Sequence, residues 1–298
     1  MALPSYATPV QRTYYYAYLF FCGVVFFFLV APLIAIVPIS FSVSPFMVFT
    51  DGMLAWPPDP EAWSLRWYKN MIGDCSADVV SSTVPCSTKW MTGTINSFFI
   101  GIVATAIATA LGTLAALGLS RPHMPYKGLI MSILISPMIV PLIITAAGMF
   151  FFYARINLVY TFTGVILAHV ALATPFVVIT VTATLVGFDM NMVKAAQSLG
   201  AKPIRTFFKV IMPLILPGVI SGALFAFITS FDEVVIVMFM ASLDQLTIPK
   251  QMWAGIRQEI SPVILCMATC LVILSIFLLT TVELLRRRSE KLRGISRQ

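Results

Sequence analysis

The chain has 298 residues, of which 59% are hydrophobic and 10% are charged. Ordinary globular domains hold roughly 45–50% apolar and about 25% charged residues, so a soluble fold would lack the polar residues to cover its surface. The formal net charge of +7 is typical of membrane proteins with basic residues on one side and does not by itself indicate nucleic-acid binding. Five cysteines without a C-x-x-C pair exclude a disulfide scaffold and the common metal and haem motifs.

Six apolar windows are each long enough to cross about 30 Å of hydrocarbon. They cover residues 16–41, 95–119, 129–153, 158–186, 214–240 and 262–285. The first run exceeds the roughly 7–15 residues of a signal-peptide core and lacks an evident cleavage site, so we interpret it as a retained membrane helix. The pattern predicts an all-α polytopic membrane protein with six transmembrane helices.

Basic residues are distributed unevenly over the connections between these windows. With six spans both termini share one side, and that side carries thirteen Lys and Arg residues against six on the other. By the positive-inside rule, both termini are expected in the cytoplasm. The basic clusters are therefore interpreted as orientation signals at membrane ends, and no nucleic-acid partner is expected.

The longest outside connection, residues 43–94, is rich in tryptophan and proline. Aromatic side chains of this kind suit the membrane–water interface. The four tryptophans are Trp56, Trp63, Trp67 and Trp90. Cys75 and Cys86 also lie in this loop, on the side where disulfides persist, and the sequence leaves open whether they are bridged.

Small residues recur at every fourth position of the second window, at Ala104, Ala108, Gly112 and Ala116. Such a face lets another helix approach closely within lipid, so we predict tight helix packing there. Prolines interrupt the third and fourth windows, and each is open to two interpretations, a packing kink or a gating hinge. These prolines are Pro137, Pro141 and Pro175.

A polar segment with helix start and stop signals follows the fourth window. Asp189 or Asn191 can cap a helix start, and Gly200 followed by Lys202 and Pro203 can end one. The signals predict a helix of two to three turns on the cytoplasmic side. A helix this short is not stable alone in water, so it needs a surface to pack against.

The face of this short helix is nearly bare of bulky side chains. Val193, Ala196 and Gly200 lie three and four residues apart and share the face, with Lys194 and Gln197 beside it. Two interpretations follow: the face docks into a groove on a partner protein, or it packs on the helix bundle of its own chain.

The same segment resembles the cytoplasmic signature of binding-protein-dependent ABC importer permeases, Glu-Ala-Ala, three residues, Gly, nine residues, Ile-x-Leu-Pro. Here the positions read Lys194-Ala195-Ala196, Gly200 and Val210–Pro213, so Lys194 stands where the family has an acidic residue. The S-F-D-E of residues 230–233 and the S-L-R-W-Y of residues 64–68 further resemble the polyamine branch of that family, the putrescine and spermidine permeases.

The resemblance implies a type I ABC importer permease fold in which the short helix is a coupling helix, seated in a nucleotide-binding subunit. The coupling residues it implies are Val193, Lys194, Ala195, Ala196, Gln197 and Gly200. The implied partners are a second permease subunit forming a heterodimer, two ATP-binding subunits, a periplasmic solute-binding protein and membrane lipid. Since the chain has no G-x-x-x-x-G-K-[ST] phosphate loop, ATP and Mg belong to the partner, and this chain is expected to be neither an enzyme nor a cofactor carrier.

On this basis the chain is divided into five parts in a bacterial inner (cytoplasmic) membrane. They are a cytoplasmic N-terminus 1–14, a first transmembrane helix 15–42, a periplasmic loop 43–94, a five-helix permease core 95–285 with its coupling loop 187–213, and a basic cytoplasmic tail 286–298.

Asp232 and Glu233 are the only acidic residues well inside a predicted span. A carboxylate at the bilayer centre costs roughly 2.5–3.5 kcal/mol on insertion scales, so these residues need a cavity, a partner or a pathway. Adjacent helical residues point about 100° apart, so we expect Asp232 to line the substrate pathway and Glu233 to make a helix or subunit contact. The competing interpretation is a hydrogen-bonded structural pair.

The leading hypothesis is therefore the permease subunit of an ATP-driven importer for a small cationic solute, such as putrescine, spermidine or a related amine or opine. The alternative is an ion-coupled secondary transporter that uses Asp232 and Glu233 as a proton relay. A membrane-embedded enzyme is disfavoured because no nucleophile or metal motif is present, and His123 and His169 have no evident ligand set. His169, inside a span, is interpreted either as a packing residue or as a relay.

Overall fold

The computed structural model describes residues 8–74, 76, 88–121, 123–186, 189, 191–258 and 261–292. In these ranges the regular structure is helical, apart from one isolated bridge between Ser42 and Trp63. The α-helices are α1 (Pro9–Ser40), α2 (Asp51–Leu54), α3 (Arg66–Met71), α4 (Lys89–Leu119), α5 (Lys127–Ile139), α6 (Leu142–Arg155), α7 (Phe162–Val186), α8 (Asn191–Ser198), α9 (Pro203–Thr206), α10 (Met212–Phe231), α11 (Val235–Met240), α12 (Ile248–Gln258) and α13 (Val263–Leu292). A 3₁₀ turn covers Pro60–Ala62, and a π-helical turn, Phe207–Ile211, joins α9 to α10.

By internal packing the chain divides into two units, one of residues 1–87 and 258–278 and the other of residues 88–257 and 279–298. Five helices in the described ranges are long and apolar enough to cross a membrane, and a bent pair brings the number to six if it crosses as one span. The predicted all-α architecture is thereby confirmed, with five or six apolar spans in the described ranges against the six expected.

In the first unit, α1 begins at a capping box. The Thr8 side chain accepts the backbone N–H of Gln11, and the Gln11 side chain accepts that of Thr8, so two otherwise unpaired groups are satisfied reciprocally. Among the described residues of α1, only Ser40 is buried. The apolar side chains therefore point outward, as a helix immersed in lipid requires.

The S-L-R-W-Y stretch holds the end of α1 against the loop that follows it. Trp67 is 1% exposed, and its indole N–H donates to the Ser42 carbonyl at 2.8 Å. The Tyr68 hydroxyl lies 2.7 Å from the Ser40 hydroxyl, and its ring packs on Phe41 with 5.0 Å between centroids. The expectation that the loop tryptophans lie at the membrane interface is wrong for Trp67, because its indole nitrogen is satisfied inside the protein.

In the second unit, α4, α7 and α10 form the core. Ala104, Ala108 and Ala116 of α4 are each 0% exposed, so the small-residue face is packed as predicted. At Gly112 a Cβ atom would lie 2.6 Å from the Cβ of Val177 on α7, a separation that only glycine permits. Trp90, at the start of α4, is 6% exposed, so for this residue too the interface expectation is wrong.

The third predicted span is two helices rather than one. α5 and α6 meet at 103° across a break at Val140–Pro141. Pro141 has no N–H to continue the helix, and a residue before proline is pushed towards extended backbone; Val140 accordingly has ψ 134°. The expectation of a single helix over 129–153 is wrong, whereas Pro175 lies inside the continuous α7.

The fifth predicted span, residues 214–240, also differs from the observed helices. A continuous helical stretch starts at Pro203, runs through the π-helical turn and ends at Phe231. Asp232 closes α10, and α11 begins only at Val235. The span therefore starts 11 residues earlier than expected and is interrupted at the two carboxylates.

Candidate functional site

The short helix predicted after the fourth window is present as α8, and both of its ends are fixed locally. The Asp189 carboxylate accepts the backbone N–H of Asn191 at 2.9 Å, so Asp189 is the capping residue. At the other end Gly200 N–H donates to Gln197 O at 2.9 Å, and Ala201 N–H donates to Ala196 O at 3.0 Å. This pair of bonds is the Schellman motif, and Gly200 takes its left-handed φ of +78°.

Most of α8 is uncovered. Val193 is buried and packs the helix against its own chain, while Lys194, Ala195 and Gln197 are exposed. Ala196 is half-buried. Val193 thus packs on its own chain, while the remaining surface is exposed, and docking of that surface on a partner stays a prediction.

The helix break after α10 separates the roles of the two carboxylates. A Glu233 carboxylate oxygen accepts the backbone N–H of Ile236 at 2.8 Å, and Glu233 is only 7% exposed. It thus caps the start of α11, where a negative charge is favoured by the helix dipole. The Glu233 carboxylate is thus engaged within its own chain, and the expected subunit contact of this residue stays a prediction.

Asp232 is exposed, and in the described part of the chain its carboxylate has no hydrogen-bond or ion-pair partner. Only its backbone N–H is engaged, donating to Ile228 O at 3.0 Å. The Asp232 carboxylate is thus exposed at a break between two helices, and its expected place on a substrate pathway stays a prediction.

The residues just before Asp232 anchor the end of α10. The Ser230 hydroxyl lies 2.8 Å from Nδ1 of His169 on α7, and both residues are buried. Phe231 packs on Phe98 and Phe227 with centroid distances of 5.2 and 5.3 Å. His169 therefore acts in packing through Ser230, which favours the first of the two interpretations given for it.

The segment between α11 and α12 is held by polar side chains that the sequence reasoning missed. The Asn96 amide of α4 donates to the carbonyls of Asp244 and Leu246 at 2.7 and 2.9 Å, and the Ser97 hydroxyl accepts Ile248 N–H at 2.8 Å. The signal in the sequence was adjacent polar side chains near the end of an apolar helix, which need partners in lipid.

Lys250 secures the other end of α11. Its ammonium donates to the carbonyls of Ala241 and Val237 at 3.1 and 3.4 Å, and a positive charge is favoured at a helix C-terminus. Burial lowers the pKa of Lys250 below its ordinary value. With Glu233 at one end and Lys250 at the other, the six residues of α11 are fixed electrostatically.

The possible disulfide between Cys75 and Cys86 lies outside the described residues, so it stays a prediction. Cys266 of α13 lies in the first unit, where its thiol donates to the Ser40 carbonyl at 3.3 Å.

Comparison with known proteins identifies the family. Residues 108–291, more than half of the chain, match the family described as "Binding-protein-dependent transport system inner membrane component". The spermidine/putrescine transport system permease protein PotC of Haemophilus influenzae is 28% identical over 269 residues, covering 90% of this chain and 96% of that protein. The putrescine transport system permease protein PotI of Escherichia coli K12 is 29% identical over 252 residues, covering 82% and 81%.

A solved structure shows the same fold. The crystal structure of a bacterial ABC transporter involved in the import of the acidic polysaccharide alginate contains a chain with a TM-score of 0.69 and 14% identity. The match covers 96% of this chain and 99% of that one, which confirms the permease fold. The coupling-type helix, the interrupted span and the family match agree, and the chain belongs to the binding-protein-dependent transport system inner membrane components.

Proposed function

We propose that this chain is the permease subunit of an ATP-driven importer that moves a small cationic solute into the cytoplasm. The solute is a polyamine such as putrescine or spermidine, or a related amine or opine, and it is delivered by a periplasmic binding protein. The relatives named above, which carry spermidine/putrescine or putrescine in their names, support this substrate class. A second, different permease subunit completes the pathway.

Within the structure, the proposal of a cationic substrate rests on a single observation, the exposed carboxylate of Asp232. It has no partner in the described chain, and a carboxylate in a passage of low dielectric offsets the desolvation of an ammonium group. Its neighbour Glu233 is already engaged by Ile236. A two-carboxylate proton relay therefore has less support than a single cation-binding carboxylate, and ion coupling is not retained as a second proposal.

Energy reaches this chain through α8. In the proposal, two ATP-binding subunits hold ATP and Mg, and α8 fits a cleft on one of them and transmits its closure. The exposed surface of α8 and the turn fixed by Gly200 support this role. Both termini lie in the cytoplasm, as the distribution of basic residues favours.

Uptake of radiolabelled putrescine and spermidine by cells that lack other polyamine importers tests the substrate. The complete transporter is expressed with Asp232→Asn or, as the matched control, with Asp244→Asn at another exposed carboxylate. Loss of the charge at Asp232 is expected to raise the apparent KM for uptake about tenfold, a change of about 1.4 kcal/mol. Equal KM values for the two variants refute a cation-binding role of Asp232.

Coupling is tested with Ala196→Arg, which places bulk on the half-buried face of α8. Uptake and transport-linked ATP hydrolysis should both be abolished while the subunit still inserts into the membrane. Uptake by the purified chain alone under an ion gradient, without ATP or partners, contradicts the proposal.

A further inference from the structure

The surface formed by α8 and the turn after it presents side chains that no other described residue covers. Leu199 is 89% exposed and Ile204 is 75% exposed, whereas Val193 is buried and anchors the helix. Because the Asp189 cap and the turn at Gly200 fix both ends of α8, this surface has a defined shape before any partner binds.

Charge on this surface is of one sign. The described chain between residues 189 and 211 has four exposed basic side chains, none with a carboxylate partner among the described residues. The one carboxylate, Asp189, is used to cap the helix. The four basic residues are Lys194, Lys202, Arg205 and Lys209.

Lys194 differs in position from the other three basic residues. Lys194 lies in the middle of α8, directly after the anchoring Val193, whereas the other three lie beyond the turn that ends the helix. A cleft that receives α8 therefore also takes Lys194 out of water. Burying an ammonium is costly unless a carboxylate pairs with it.

A lipid surface fits α8 less well than a protein cleft does. Helices that lie in the membrane interface carry large apolar side chains along one face. The exposed residues of α8 instead include Ala195, which reaches little hydrocarbon, next to Lys194 and Gln197, and Met192 is its one large exposed apolar side chain. Small side chains permit close approach of another protein surface.

We propose that the cleft of the ATP-binding subunit that receives α8 is acidic, with a carboxylate paired to the Lys194 ammonium. Further carboxylates at the edge of the cleft face Lys202, Arg205 and Lys209, and apolar residues inside the cleft contact Leu199. This inference rests on the proposed function, because it specifies the chemistry of the partner that the proposal requires.

Zero-length cross-linking with a carbodiimide tests the pairing, since this reagent joins an amine only to a carboxylate in contact with it. The complete transporter is purified with the ATP-binding subunit that accompanies it in its own host. Mass spectrometry of the wild-type complex should show a peptide joining Lys194 to an Asp or Glu of that subunit. Lys194→Arg should lose this cross-link but keep ATP hydrolysis, because a guanidinium pairs with carboxylates yet does not couple.

Charge reversal gives the second measurement. Lys194→Glu should lower transport-linked ATP hydrolysis about tenfold or more, as expected for a close charge pair at an interface. The matched control is Lys127→Glu, an exposed lysine at the start of α5, which should remain close to wild type. Wild-type hydrolysis by Lys194→Glu, or absence of the Lys194 cross-link, overturns the acidic cleft.

Two further outcomes separate the possible failures. If Ala196→Arg abolishes coupling but Lys194→Glu does not, the acidic cleft fails and the proposed function stands. If Ala196→Arg leaves coupling intact, the proposed function itself fails. Retention of the ATP-binding subunit should be equal in nanodiscs of phosphatidylcholine with and without phosphatidylglycerol; a requirement for the anionic lipid overturns the acidic cleft in favour of lipid binding.

Discussion

Gly112 marks the closest approach of α4 to α7, and Gly112→Ala is expected to force the two helices apart. A Cβ at residue 112 would lie 2.6 Å from Cβ and 2.8 Å from Cγ1 of Val177, and 3.3 Å from the carbonyl oxygen of Thr174. Carbon atoms in contact are normally about 3.5–4.0 Å apart, so a movement of about 1 Å is needed. Val177 is 0% exposed and β-branched, and it cannot turn away.

The expected cost is about 1–3 kcal/mol, the range for overpacking a well-filled core. Gly118→Ala is the matched control on the same helix, because a Cβ there meets nothing within 4 Å. This control should gain roughly 0.5–1 kcal/mol, since alanine favours the helix over glycine. The two variants therefore change stability in opposite directions.

Thermal unfolding of the detergent-purified subunit measures both changes. In the double variant Gly112→Ala with Val177→Gly, the interfering Cβ is removed from the other helix, so the combined loss should be smaller than the sum of the single losses. Equal stability of Gly112→Ala and Gly118→Ala refutes the packing argument, as does strict additivity in the double variant.

Three further predictions concern the turn at Gly200, the segment 241–247 that Asn96 holds, and the loop that follows α1. Gly200→Ala should impair coupling, because an alanine in the left-handed backbone conformation costs about 1–2 kcal/mol. Gly200→Asn should be better tolerated, and equal uptake defects in the two variants contradict this backbone argument. Asn96→Ala removes the amide that donates to two carbonyl groups and should cost about 1–3 kcal/mol for each carbonyl left unsatisfied. The loss should appear as faster hydrogen exchange in residues 241–247, and unchanged exchange counts against the prediction. Trp67→Phe removes a buried indole hydrogen bond and should lower the unfolding temperature, while Trp56→Phe, at a side chain 94% exposed, should stay within about 0.5 kcal/mol of wild type; similar shifts in both variants speak against the assigned hydrogen bond.

The S-F-D-E stretch shows how four adjacent residues take different roles. Ser230 bonds to His169, Phe231 packs in an aromatic cluster, Asp232 is exposed, and Glu233 caps the next helix. This division follows from the helix break, because Asp232 closes α10 whereas Glu233 precedes α11 and accepts the Ile236 N–H. The break is supported at α11 by charges of the sign that its dipole favours at each end.

Features that depend on neighbours in sequence were predictable. The α8 cap at Asp189, the turn at Gly200 and the small-residue face of α4 were all expected from residue type and spacing, because caps, left-handed turns and helical faces are set within a few residues. The apolar windows likewise predicted the membrane class, since crossing hydrocarbon requires about 20 apolar residues.

Features that depend on residues far apart in sequence were not predictable. Asn96 holds the segment after α11 through contacts that span 148 and 150 residues. The Lys250 contacts with α11 span only 9 and 13 residues, but they form only where two separate helices meet. Hydropathy cannot distinguish a continuous span from a broken one, because both are equally apolar. The sequence alone thus determined a basic permease with five or six apolar spans and a short polar helix. Only the tertiary structure decided that Glu233 is engaged by Ile236 while the Asp232 carboxylate is exposed, because α11 is held in place by Lys250 of another helix.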